Sequence, residues 1–216
     1  MTALVALMAL GAAPVSASSP RDHSSFFEAS DLEGAGWASC QPITWSVDTR
    51  GMSAAQSRRE VTRLRQAWRL WAESAGVQVA FAGKEDLVYE PATYGLVPAD
   101  GSPAADHHVY IAFKTRTQVP ILARGAVGLA KPTYVLVDER RIVGGMVILM
   151  RGYAIEQARK DPSALAHVYA HEIGHILGLG HAQSRSNVMY PEVTGRTQLG
   201  AGDATGIARI TQPCRA

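Results

Sequence analysis

A mixed α/β layer fold is what the 216-residue sequence predicts, on three observations. Segments that alternate apolar and polar side chains fill the first two thirds, one long helix-period segment lies between the first two of them, and a second helix-period segment follows the last. Hydrophobic residues make up 47% of the chain, enough to close a core over one domain or a domain with a small appendage.

Pro42-Ile43-Thr44-Trp45-Ser46-Val47 alternates and reads as a half-buried strand, ended by Gly51. Ser53 and Gln56 form a capping-box pair, and Val61, Leu64, Trp68 and Trp71 then recur at helical spacing until Gly76 stops the helix. Its Arg58, Arg59, Arg63, Arg65 and Arg69 read as a solvated face. Val77 to Phe81 is a second strand, while Gly83 to Asp106 carries proline, glycine and acidic residues without period and reads as a long surface loop. Val109 to Phe113 is a strand, and short β-rich segments follow at Val127 to Ala130, Tyr134 to Val137 and Met146 to Met150. Asp161-Pro162 then starts a helix, with aspartate as N-cap and proline in the first turn, that runs through Leu165, Val168 and Tyr169 to Leu177.

The N-terminus reads as a signal peptide over residues 1–17, because Ala3 to Ala13 is apolar but too short to span a bilayer and Val15-Ser16-Ala17 offers a small-residue cleavage site. No lysine or arginine precedes that run, so either the free amino terminus supplies the charge or the true start lies upstream of Met1. Residues 18–39 read as a leader or linker, and 40–216 as the folded domain. Export makes a disulfide between the only two cysteines, Cys40 and Cys214, the favoured reading over two free thiols or an inhibitory metal-binding Cys40. A net charge of +2 without a dense basic run points away from nucleic acid, and the domain has no segment for stable membrane association.

HEIGHILGLGH, residues 171–181, is the most informative stretch. Residues four apart share a helix face, so His171 and His175 can reach one point. Gly178 permits the left-handed turn that brings His181 back to it, and three neutral imidazoles with an open fourth position make the usual catalytic zinc arrangement. Glu172 lies about 100° round the helix from His171, bordering the metal where a general base belongs. A buried helix with incidental histidines is the rival reading, but with 7 histidines in the chain this pattern arises by chance on the order of once in ten thousand chains.

HExxHxxGxxH at His171, Glu172, His175, Gly178 and His181 resembles the metzincin zinc endopeptidases. Within them the matrixins are the nearest kind, because Asn187-Val188-Met189-Tyr190-Pro191 resembles their Met-turn and Leu199, Asp203, Gly206 and Ile207 resemble the start of their C-terminal helix. The resemblance implies an α+β zincin-like catalytic domain: a twisted, mostly parallel sheet with an antiparallel edge strand, two long helices and a C-terminal helix. It implies one catalytic zinc on His171, His175 and His181, Glu172 as base and then acid, and Met189 beneath the ligands. A peptide or protein substrate would lie along an edge strand at 127–130, using the backbone of Leu129 and Ala130, with Pro191, Glu192 and Val193 as the outer wall of the pocket beyond the cleaved bond.

The sequence departs from that family in three ways. No histidine and aspartate pattern for a second, structural zinc is found, since His107 and His108 are adjacent at a strand's start and point to opposite faces. Asp100, Asp106 and Asp138 are too scattered for a calcium site, so calcium is left open. No cysteine-switch motif precedes the domain: Ser39-Cys40-Gln41-Pro42 is not that pattern. The reading is therefore a secreted zinc endopeptidase, with a non-catalytic zinc-dependent peptide-binding module and a zinc hydrolase of other substrates as rivals. Substrate preference and oligomeric state are not legible.

Overall fold

The computed structural model describes residues 36–37, 41–135 and 141–210. Residues 1–35, Cys40, Asp138 and Cys214 lie outside the described residues, and with them the signal peptide, most of the leader and the disulfide. Strands β1 (Gly36–Trp37), β8 (Arg141–Met150), β6 (His108–Lys114), β2 (Ile43–Asp48) and β3 (Val79–Lys84) lie side by side in that order, all parallel. Strand β7 (Gly128–Val135) runs antiparallel to β8. Among the described residues it pairs with β8 alone, so it is the antiparallel edge strand that the sequence led us to expect. Residues 127–130 and 134–135 are thus largely one strand, with a register shift between Thr133 and Tyr134.

Helix α1 (Ala54–Ala75) begins at the expected capping box: the Ser53 hydroxyl accepts from Gln56 N–H and the Gln56 side chain accepts from Ser53 N–H. It ends at Gly76, whose φ of 65° is cheap only for glycine. Val61, Leu64, Trp68 and Trp71 are buried against the sheet and helix α3 (Pro162–Ile176), where Trp71 donates its indole N–H to Ala170 O at 2.7 Å. Arg58, Arg59, Arg65 and Arg69 are exposed as expected. Arg63 is not: it pairs at 2.6 Å with the buried Glu60, whose other oxygen accepts from Tyr169 of α3.

Two expectations are corrected, and one helix is added to them. Residues 83–106 are not one loop: β4 (Leu87–Glu90) and β5 (Gly95–Pro98) pair as an antiparallel hairpin. Helix α2 (Arg151–Lys160) follows β8 directly and has no side-chain cap to announce it. Strand β2 is buried on both faces, because its polar side chains find buried partners. Trp37, within the expected leader, is buried and donates to Ile176 O at 2.7 Å, which fastens β1 beside the end of α3. No helix among the described residues is long and apolar enough to cross a membrane.

Asp48 at the end of β2 explains why the hairpin stays in place. Its carboxylate receives Lys114 Nζ at 2.6 Å, the Arg50 guanidinium at 2.7 Å and Leu87 N–H at 3.2 Å, and Lys114 also donates to Leu87 O at 2.6 Å. Burial pushes the Asp48 pKa up, but the hydrogen bonds from Arg50 and Lys114 outweigh it and hold the group at about 2 against an ordinary 3.8. A depressed carboxylate stabilises the fold above its unfolded pKa and loses that contribution as pH falls through the folded value. Asp48→Asn should therefore cost about 2–3 kcal/mol near neutral pH, with the gap from wild type narrowing as pH falls toward about 2 in urea melts.

Candidate metal centre

Helix α3 carries two of the three histidines, and the cap at its end delivers the third. Leu179 N–H bonds Gly174 O and Gly178 N–H bonds His175 O, both at 3.0 Å, which is a Schellman cap with Gly178 at φ 102° as its left-handed residue. The chain then turns back, and Ala182 N–H bonds Met189 O at 2.8 Å, tying the His181 segment to the Met189 turn. One ligand atom from each of His171, His175 and His181 lies within 4.8 Å of the others.

The rings are also oriented. His171 Nδ1 lies 2.9 Å from Val188 O, and His175 Nδ1 lies 2.7 Å from Leu179 O. A carbonyl can only accept, so both Nδ1 atoms carry the proton and both Nε2 atoms present lone pairs. Those two Nε2 atoms stand 3.0 Å apart. A proton between them is disfavoured, because burial drives the His171 pKa well below its ordinary value and the His175 pKa down to about 3. His181 is lowered too, again by burial. Three neutral imidazoles aimed at one point fit a divalent cation of the zinc type.

Glu172 is buried, and neither carboxylate oxygen has a hydrogen-bond partner. Burial alone pushes its pKa up to about 8. It meets the start of the edge strand: a Cβ added at Gly128 would overlap Glu172 Oε1 and come within 2.6 Å of its Cδ. Gly128 was not singled out from the sequence, where nothing marks it, since its partner is 44 residues away.

Met189 is fully buried beneath α3, where a Cβ at Gly174 would overlap its sulfur and stand 2.8 Å from Trp71. Asp203 in helix α4 (Ala201–Ile210) fixes this turn by accepting Val188 N–H at 2.7 Å and Met189 N–H at 3.1 Å, and Gly200 N–H at 2.8 Å. Asn187 accepts in turn from Gly202 N–H and Asp203 N–H. Val188 O, held by this arrangement, is the acceptor that orients His171.

The expected substrate-contact residues spread over two elements. Leu129 and Ala130 pair with Ile148 and Val147 of β8, leaving the other side of β7 unpaired among the described residues. Pro191, Glu192 and Val193 are half-buried in the segment after the Met189 turn, with Val193 packed on the main core and Glu192 paired to Arg185 at 2.9 Å. Tyr190 lies under Arg185, 5.1 Å from guanidinium to ring centre. His107 and His108 share no metal geometry: His108 is buried between Thr44 and Ser46, whereas the His107 ring faces Trp37.

His167, not marked by the sequence reading, stands one turn before His171 on the same helix face, with ring centres 6.0 Å apart. Its Nδ1 accepts Arg196 N–H at 3.1 Å, and burial pushes its pKa down to about 4.

Residues 135–211 match the family model described as Matrixin. Two curated relatives align to shorter stretches: metalloendoproteinase 1-MMP of Arabidopsis thaliana is 44% identical over 52 residues, 23% of this chain and 14% of that protein. Metalloendoproteinase 1 of Glycine max is 43% identical over 49 residues, 21% of this chain and 16% of that protein. A metalloproteinase-II structure from Bacteroides fragilis superimposes with a TM-score of 0.47 at 14% identity, covering 82% of this chain and 55% of that one. Over residues 135–211, the part that carries the histidine centre, the chain is similar to the matrixins.

Proposed function

We propose that the chain is an exported zinc endopeptidase, with residues 1–17 as signal peptide, 18–39 as leader, 40–216 as catalytic domain and Cys40 bonded to Cys214. One observation supports the activity above the others: a buried carboxylate without a hydrogen-bond partner, Glu172, stands beside three converging neutral imidazoles at the start of an open sheet edge. His171, His175 and His181 would hold the zinc. When bound, zinc supplies Lewis acidity toward a carbonyl oxygen and toward water.

The protein's own groups do the rest. The open side of β7 pairs with an extended peptide by main-chain hydrogen bonds and so fixes the scissile bond over the histidines, with Leu129 and Ala130 beside it. Glu172 takes a proton from the attacking water onto a carboxylate oxygen and returns it to the leaving amine nitrogen. Pro191 to Val193 wall the pocket for the residue that follows the cleaved bond.

A non-catalytic binding module has no use for Glu172, and burying a carboxyl group without a partner costs stability. Retaining that cost beside a metal centre is sensible when the group must exchange protons.

Zinc-loaded protein incubated with a mixed peptide library should cut it, and a chelator should stop the cutting. Tight zinc binding with an intact library under both conditions would leave the binding module standing. Gly128→Ala sharpens the assignment, because its methyl group must displace the Glu172 carboxylate. Cleavage should fall by about 10–100-fold with zinc content unchanged.

A further inference from the structure

Edge strand β7 offers less to a pairing peptide than its length suggests. Met150 N–H donates to Val127 O at 2.9 Å, in the same register that sets Gly128 against Leu149 and Pro132 against Gly145. Hydrogen-bonded and non-hydrogen-bonded pairs alternate along an antiparallel ladder, so Val127, Leu129 and Lys131 turn their backbone groups to β8 while Gly128, Ala130 and Pro132 turn theirs to the open side. Leu129, whose backbone the sequence led us to offer to substrate, is thus committed to β8, and Ala130 alone of that pair faces out. Close approach at Gly145 agrees: a Cβ placed there would stand 3.3 Å from Pro132 Cα, as the tighter spacing of a non-hydrogen-bonded pair requires. Between Gly128 and Pro132 the open side therefore has the N–H groups of Gly128 and Ala130 but none at Pro132, whose nitrogen carries no hydrogen. Just beyond, the register shifts between Thr133 and Tyr134, which bends the strand and interrupts the ladder. A missing donor and a bulge, almost side by side, are two devices that stop a further strand from adding to an edge.

We propose that Pro132 ends substrate pairing on β7, so that the enzyme selects a short extended stretch and the arm of the peptide that follows the strand away from Glu172 leaves the edge there. This rests on the endopeptidase reading. Gly128 lies against Glu172, so the reacting bond sits at the Gly128 end and one arm of the peptide runs toward Pro132, whichever its direction. Ala130 exchanges two hydrogen bonds with that arm. At Pro132 the carbonyl still accepts one N–H, but the peptide carbonyl opposite meets no donor and keeps a partner only if the arm turns outward to water. A long extended segment thus gains nothing over a short one on this arm, and a chain that bends just beyond the cleaved stretch is not penalised. Short peptides and the exposed loops of folded proteins present such stretches.

Peptides sharing one cleavable bond are lengthened residue by residue on either arm and compared as substrates of the zinc-loaded full chain, in wild type and in Pro132→Ala, which restores the N–H. In wild type one arm should stop raising kcat/KM after about four residues, the run of strand from Gly128 to Pro132. On that arm the ratio of kcat/KM for long over short peptides should rise about 2–10-fold in Pro132→Ala, the worth of one hydrogen bond. Gains of about threefold or more for each residue added beyond that length on both arms overturn the proposal, even if the variant does not fold. An unchanged ratio in a folded variant with wild-type zinc content overturns it as well. If no peptide is cut, the endopeptidase reading is what fails, and fluorescence anisotropy of labelled long and short peptides then decides the edge. Long peptides that bind no tighter than short ones in wild type, but about 2–10-fold tighter in Pro132→Ala, support the proposal, and any other order ends it.

Discussion

Glu172→Gln is expected to lower peptide cleavage by about a thousandfold or more while zinc content stays at the wild-type level. The amide keeps the size of the carboxylate but cannot take up a proton and release it. None of the three imidazoles is bonded to Glu172, so their hold on an ion does not depend on it. Zinc is measured by elemental analysis after dialysis. Turnover at more than about a tenth of the wild-type rate would remove Glu172 from its role as base.

The same substitution has a second signature in metal-free protein, independent of turnover. Burial raises the Glu172 pKa to about 8 from an ordinary 4.5. A carboxyl group whose pKa is raised by folding leaves stability intact below its unfolded value, and the fold loses stability as pH rises from there through the folded value. In metal-free protein Glu172→Gln should therefore gain on wild type as pH rises from about 4.5 to about 8, and be the more stable of the two by about 4 kcal/mol at the upper end. At the lower end the two should agree. A bound cation supplies the opposite charge that draws the carboxyl pKa down again, so the difference should shrink when zinc is added.

What the sequence made legible at this centre is what local geometry dictates. His171 and His175 are four apart on one helix, Gly178 is the left-handed residue of the cap, and His181 follows the turn. Eleven consecutive residues contain all of that information. Glu172's neighbour Gly128 and the Arg196 amide on His167 join positions 44 and 29 residues apart, and no spacing rule announces them. A histidine four before His171 was the available signal for His167, but its bond to the Arg196 amide is displayed only in three dimensions. The hairpin at 87–98 was missed for a similar reason: Leu87-Val88-Tyr89 is strand-like, yet Asp48 and Lys114 hold it through the Leu87 backbone from distant strands. Helix α2 buries only Tyr153 and Ala154, so its sequence has almost no apolar period to read.

Asp203→Ala should cost about 4 kcal/mol of stability and weaken zinc binding together, because one carboxylate supports both. It receives the N–H groups of Val188, Met189 and Gly200, and Val188 O in turn orients His171. Alanine leaves two fully buried residues, Val188 and Met189, with unmatched N–H groups at about 1–3 kcal/mol each and opens a cavity under the turn. Burial pushes the Asp203 pKa up despite the three bonds it accepts, so its contribution lies in accepting hydrogen bonds more than in charge. Asp203→Asn keeps one acceptor oxygen and should therefore cost about half as much, even though its NH2 group confronts an N–H. Urea melts of metal-free protein rank the stabilities, and competition with a chelator of known affinity reads the zinc. Loss of a carbonyl that orients a metal-ligating histidine typically lowers metal affinity 10–100-fold, so alanine should fall in that range and asparagine at its lower end. If stability drops but zinc affinity does not move, His171 is oriented without Val188 O, and the link from α4 through the Met189 turn to the metal centre is broken.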